Sequence, residues 1–127
     1  MYSHTTVGAN DLPRARAFYE AVFAPLGHEV RYSDETFVGW GVPGGPPQFL
    51  IARPFNGEAP SVGNGAMIAL VARKRSVVDA CHAAALEQGG TDEGKPSLRP
   101  HYHPNYYGAY FRDPDGNKIC IVCHQPE

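Results

Sequence analysis

Between Arg99 and Asn117 the chain reads Arg-Pro-His-Tyr-His-Pro-Asn-Tyr-Tyr-Gly-Ala-Tyr-Phe-Arg-Asp-Pro-Asp-Gly-Asn. Two histidines, four tyrosines and two arginines fall within these nineteen residues. Each buried imidazole or phenol needs a hydrogen-bond partner, so this density points to one wall of a small-molecule pocket. The alternative is an aromatic edge strand with a solvated loop before it. His101, His103, Tyr106 and Tyr110 are the candidate substrate contacts. Pro100 and Pro104 favour a loop around the two histidines, and loops carried on a rigid sheet often hold recognition groups. Arg112 shares a strand face with Tyr106 and Tyr110; it is placed to pair with an anionic group, or to be satisfied by Asp113 or Asp115.

Other chemistry-bearing residues are scattered. His4 faces the more polar side of a first strand, with Tyr2 and Thr6. Trp40, the single tryptophan, is a core residue by default and a stacking wall for a substrate in the sharper reading. Cys120-Ile121-Val122-Cys123-His124 spells the C-x-x-C-H haem-attachment string. On a strand, however, Cys120 and Cys123 point to opposite sides, which argues against thioether attachment. A redox pair would instead begin a helix, whose N-terminus lowers a thiolate pKa. His28 and His82 read as a strand end and a helix face, and His124 is left unassigned.

The elements that position these groups follow from periodicity and turns. Tyr2 to Val7 is β-favourable, and Asn10 or Asp11 caps a helix in which Leu12, Ala15, Phe18, Tyr19, Val22, Phe23 and Leu26 form one face. Gly27 ends that helix. Strands are then expected at His28 to Tyr32, Thr36 to Val42 and Gln48 to Arg53. Pro54 to Gly65 reads as a linker. The same order returns with a strand at Ala66 to Val71. Ser76 with Asp79 resembles a capping box for a second helix, closed by Gly89-Gly90. A weak strand at Thr91 to Pro100 and strong ones at Tyr106 to Arg112 and Lys118 to His124 complete it. The fold class is therefore α+β, with two βαβββ modules forming a curled mixed sheet around a cleft. Module one spans 1–55, the linker 56–65 and module two 66–127 of a single domain.

Composition narrows the function. A net charge of -2 with no basic run gives no electrostatic footprint for nucleic acid or an anionic membrane. No apolar run approaches membrane-spanning length and the first residues resemble no export signal, so the cytoplasm is the expected compartment. Three cysteines at irregular spacing are not a disulfide framework, and reduced thiols are expected.

The chain resembles the vicinal oxygen chelate superfamily, the glyoxalase, bleomycin-resistance and extradiol-dioxygenase group. The resemblance rests on His4 opening the first strand and on Asn10-Asp11-Leu12 followed by Phe18-Tyr19. The second module and Tyr110-Phe111-Arg112-Asp113-Pro114-Asp115-Gly116-Asn117 before the last strand complete it. His101 to Tyr110 is similar to a glyoxalase-like subgroup. The resemblance implies a divalent metal held by His or Glu from the first strand of each module and Glu from the last, with open positions for a substrate's adjacent oxygens. His4 matches this pattern. Met67 stands at the fifth-strand ligand position, Cys120 at that of the last-strand Glu, and Leu50 near the fourth-strand one. Mg, Mn and Fe favour oxygen and imidazole donors, so the usual hard-metal centre is expected to be absent and the cofactor is left unknown. His4, Met67 and Cys120 would suit copper(I) or zinc if all three entered the cleft; otherwise Met67 and Cys120 are apolar lining.

Two functions follow. One is a glyoxalase-like enzyme, related to lactoylglutathione lyase, acting on a small oxygen-rich substrate such as a thiol adduct. In it His4 is general base or sole surviving ligand, and Tyr110, His101 and His103 orient the substrate. The other is a metal-free protein of the bleomycin-resistance type that sequesters its ligand. A homodimer is expected in either case.

Overall fold

The computed structural model describes residues 1–127. Its first half contains β1 (Thr5–Gly8), α1 (Leu12–Phe23), β2 (Glu29–Ser33), β3 (Phe37–Gly41) and β4 (Phe49–Ala52). The second half repeats the order with β5 (Ile68–Val71), α2 (Arg75–Glu87), β6 (Thr91–Leu98), β7 (Tyr107–Arg112) and β8 (Lys118–Cys123). Each half forms a four-stranded mixed sheet, ordered β1-β4-β3-β2 and β5-β8-β7-β6. In each, the first and last strands run parallel and the remaining pairs antiparallel. The expected pair of βαβββ modules is present as two open sheets. None of the helices is long and apolar enough to cross a membrane.

Local chemistry sets the helix ends. Asp11 caps α1 by accepting the Arg14 N–H at 3.1 Å, and Gly27, at φ 76°, turns the chain away. The expected capping box on α2 does not form. That helix starts at Arg75 after Lys74, which makes no side-chain cap, and the Glu127 carboxylate takes the Arg75 N–H instead. Asp79 is engaged elsewhere, accepting the Tyr107 hydroxyl at 2.6 Å. At the other end the Gly89 and Gly90 N–H groups return to Leu86 and Ala85, closing α2 as expected.

One buried cluster draws on both halves. Leu12, Phe18, Tyr19, Val22 and Phe23 of α1 join Trp40 and Phe49 of the first sheet and Phe111, Ile119 and Ile121 of the second. The Asp113–Asn117 turn supplies the polar link. Asp113 is 4% exposed and receives the Asp115 and Asn117 N–H groups, the Asn117 side-chain amide and the Tyr19 hydroxyl. Asn117 also donates to the Gly8 carbonyl, and the Asn10 N–H donates to Asp115. A turn between β7 and β8 thereby anchors the start of the first module.

Hollows open along both sheets and share lining residues where they adjoin, Thr6 and Gly8 on the first module's side and Met67 and Lys118 on the second's. The linker packs onto β1, where a Cβ on Gly8 would lie 2.7 Å from Pro60 Cβ. Cavities of about 820 Å³ and about 740 Å³ open on the first and second modules, with a smaller one of about 310 Å³ between them. A glycine on β1 allows this proline to sit against the strand, where it lines the first-module cavity.

Candidate functional site

Alternation along β7 and β8 sorts their side chains between two faces. Ala109, Phe111, Ile119 and Ile121 enter the core, so Tyr110, Arg112, Lys118 and Cys120 take the opposite face. Tyr110 lies directly across from Cys120, and Arg112 across from Lys118. The second-module cavity opens here, lined by Met67, Tyr102, His103, Tyr106, Tyr110, Arg112, Lys118 and His124 together with linker backbone and small residues. No carboxylate lines it.

Small residues make the arrangement possible. A Cβ on Gly108 would stand 2.9 Å from the Tyr106 ring, and one on Gly94 would stand 3.0 Å from both Tyr110 and Arg99. These glycines let the rings lie close to the sheet. The Tyr106 and Tyr110 hydroxyls meet at 2.9 Å, and Tyr106 also reaches Cys120 Sγ at 3.7 Å. Burial, followed by its bonds to Tyr110 and Cys120, raises the Tyr106 pKa. Burial likewise raises Tyr110 and the Cys120 thiol. At neutral pH all three therefore keep their protons.

His103 and His124 form a second pair, with Nε2 of the former 2.8 Å from Nδ1 of the latter. Both rings stand near Tyr106, with centroid separations of 5.6 Å and 5.5 Å. The Asn105 N–H donates to His103 Nδ1 at 3.1 Å. In a neutral pair this network puts the His103 proton on Nε2, donating to His124 Nδ1, and leaves the His124 proton on its own Nε2. The cavity then offers phenols, an imidazole N–H and two cations, but no free base.

Of the sequence candidates, His103, Tyr106, Tyr110 and Arg112 come together. Trp40 does not join them: it is 1% exposed and packs against Tyr19 and Phe23 in the core, as its size and apolar area favour. His101 is exposed, packed at a 44° tilt against Tyr102, and absent from the cavity wall. His4 lies one residue before β1, exposed, with Nδ1 2.8 Å from Ser3 Oγ, and lines none of the three cavities. Lys118 and His124 also stand in the wall; the Lys118 to His124 strand is expected around the cavity, but neither side chain is singled out by the sequence, although both fall on the period-two face running Lys118, Cys120, Val122, His124.

A divalent metal of the implied kind would need the side chains at His4, Met67 and Cys120 to converge. Met67 is 43% exposed at the cavity lip, whereas Cys120 is fully buried under Tyr106 with a protonated thiol. Nowhere do three or more His, Cys, Asp or Glu side chains gather in a metal-holding group. His4, Met67 and Cys120 do not form a family-type hard-metal site, nor the sulfur-rich set that would suit copper(I) or zinc.

The family model described as Glyoxalase/Bleomycin resistance protein/Dioxygenase superfamily matches residues 2–121, and the chain belongs to that superfamily. A glyoxalase/bleomycin resistance protein from Albidiferax ferrireducens T118 is 36% identical, with 99% of each chain covered and a TM-score of 0.86. Lactoylglutathione lyase from Agrobacterium tumefaciens shares the fold at 23% identity, covering 97% of this chain and 92% of that one, with a TM-score of 0.67. A glyoxalase/bleomycin resistance protein/dioxygenase family enzyme from Burkholderia phytofirmans PsJN does so at 18%, covering 97% and 98%, with a TM-score of 0.71. Among curated proteins none matches.

Proposed function

We propose that the protein captures a small, oxygen-rich molecule in the second-module cleft without a hard-metal centre, the sequestering role found on this fold. One observation carries the reading: the cavity wall presents hydrogen-bond donors almost exclusively. Arg112, Lys118 and His124 Nε2 donate, the Tyr106–Tyr110 hydroxyl pair has one of its protons engaged between its own oxygens, and no carboxylate or thiolate stands ready to take a proton. A ligand bearing neighbouring carbonyl, hydroxyl or ether oxygens complements such a wall. The expected homodimer remains part of this proposal.

A second reading, a glyoxalase-like isomerase of thiol adducts, is favoured by the His103–His124 pair. Breaking its hydrogen bond would free a ring nitrogen to remove a carbon-bound proton, with Tyr110 donating to the developing oxyanion. That proton, or a solvent proton exchanged for it, would go to the adjacent carbon while the adduct's hydroxyl proton passes to the former carbonyl oxygen, so the isomerisation balances without a co-reactant. The two readings part in one experiment. Chelator-treated protein is incubated in D2O with the methylglyoxal–glutathione adduct, and both binding and deuterium incorporation are followed. Saturable binding with product no faster than the uncatalysed background supports capture. Enzyme-dependent product that is lost in His124→Gln, whose Nδ1 is the nitrogen freed when the pair opens, supports the isomerase.

A further inference from the structure

Arg112 and Lys118 occupy directly opposed positions on β7 and β8, and both line the second-module cavity. Like charges opposite one another on a sheet face repel. Arg112 is partly compensated, its Nε pairing with Glu93 and its Nη1 donating to the Gly116 carbonyl at 2.8 Å. Lys118 has no carboxylate partner; its ammonium stands 5.7 Å from the Tyr110 ring centroid. Arg99 approaches the same ring at 5.2 Å, gives one N–H to the Lys95 carbonyl, and keeps a buried Nε without a partner. Two cations thus approach the Tyr110 ring and a third, Arg112, lines the same cavity, with one carboxylate among the three, in a chain whose net charge is -2.

We infer that Arg112 and Lys118 form an anion subsite, and that the ligand of this cleft is a small organic anion. Its charged oxygens lie between the guanidinium and the ammonium, and a neighbouring neutral oxygen accepts from Tyr110. The inference rests on the reading of the second-module cleft as the ligand site. A repulsive pair costs stability in the free protein and gains a bridging partner when an anion binds. Charge-assisted hydrogen bonds from both cations then replace the repulsion. Carboxylate and phosphate share this chemistry.

Calorimetric titration at fixed ionic strength, with malonate, inorganic phosphate and neutral dihydroxyacetone as probes, tests the subsite. Saturable binding of malonate or phosphate is expected, and the tighter of the two identifies the anionic group. Lys118→Met should weaken it about tenfold, while Lys118→Arg should stay within about threefold of wild type. Anion binding unchanged in Lys118→Met would overturn the subsite. Dihydroxyacetone binding without either anion would overturn the anion assignment and leave the cleft reading intact. Binding of no probe would count against both. Circular dichroism of each variant confirms that the fold persists, and the Lys118→Arg rescue separates loss of charge from loss of packing.

Discussion

The Tyr19 hydroxyl on α1 donates to Asp113 Oδ2 at 2.6 Å, joining the first module's helix to the turn between the last two strands. Tyr19 is fully buried, and burial together with the Asp113 charge raises its pKa well above the usual phenol value. Tyr19→Phe keeps the ring packing and removes one donor from a buried carboxylate that retains three others. Hydrogen bonds to charged groups contribute about 1.5–3 kcal/mol, so a loss of about 2 kcal/mol is expected from urea denaturation. A loss below about 0.5 kcal/mol would show that the link is dispensable.

Cys120 is shielded by Tyr106, and its raised pKa removes the reactive thiolate at neutral pH. A thiol reagent should label native Cys120 at least about 100-fold more slowly than the urea-unfolded chain. Tyr106→Ala should accelerate Cys120 selectively, with Cys81 and Cys123 unchanged, as read by mass spectrometry of labelled peptides. Rapid labelling of Cys120 in the wild type would contradict its burial.

Burial pushes the Cys81 thiol on α2 from 9.0 up to about 12. Because the folded-state value is the higher one, the stability it contributes is complete below pH 9 and is lost as pH rises towards 12. One such group gives a slope of about 1.4 kcal/mol per pH unit. Between pH 9 and 11, wild type should therefore lose stability more steeply than Cys81→Ala. Parallel curves would place the thiol in a solvated setting.

Most of the architecture was legible because it depends on local signals. Three-and-four spacing marked the α1 face, glycines marked the helix ends, and the Asp-Pro-Asp-Gly-Asn turn marked the link between β7 and β8. Ser76 and Asp79 misled because tertiary contacts decided the cap: Asp79 holds Tyr107, and Glu127 reaches the helix start from 52 residues away. His103, Tyr106, Tyr110 and Arg112 were found from their density in one stretch. Their partners His124 and Lys118 were not, since pairing across strands depends on register, which one strand's letters do not fix. Trp40 shows the converse: its type left core and pocket wall both open, and the contacts with Tyr19 and Phe23 of α1 decide for the core.

Under the proposed function the second-module face, not the first, receives the ligand. Amide shift mapping of labelled, chelator-treated protein during titration with the methylglyoxal–glutathione adduct tests it most directly. Saturable shifts at Tyr106, Tyr110, Lys118 and His124, with Thr6, Thr36 and Ala52 unmoved, are the expected result. Shifts confined to Thr6, Thr36 and Ala52 on the first module, or none at all, would contradict it.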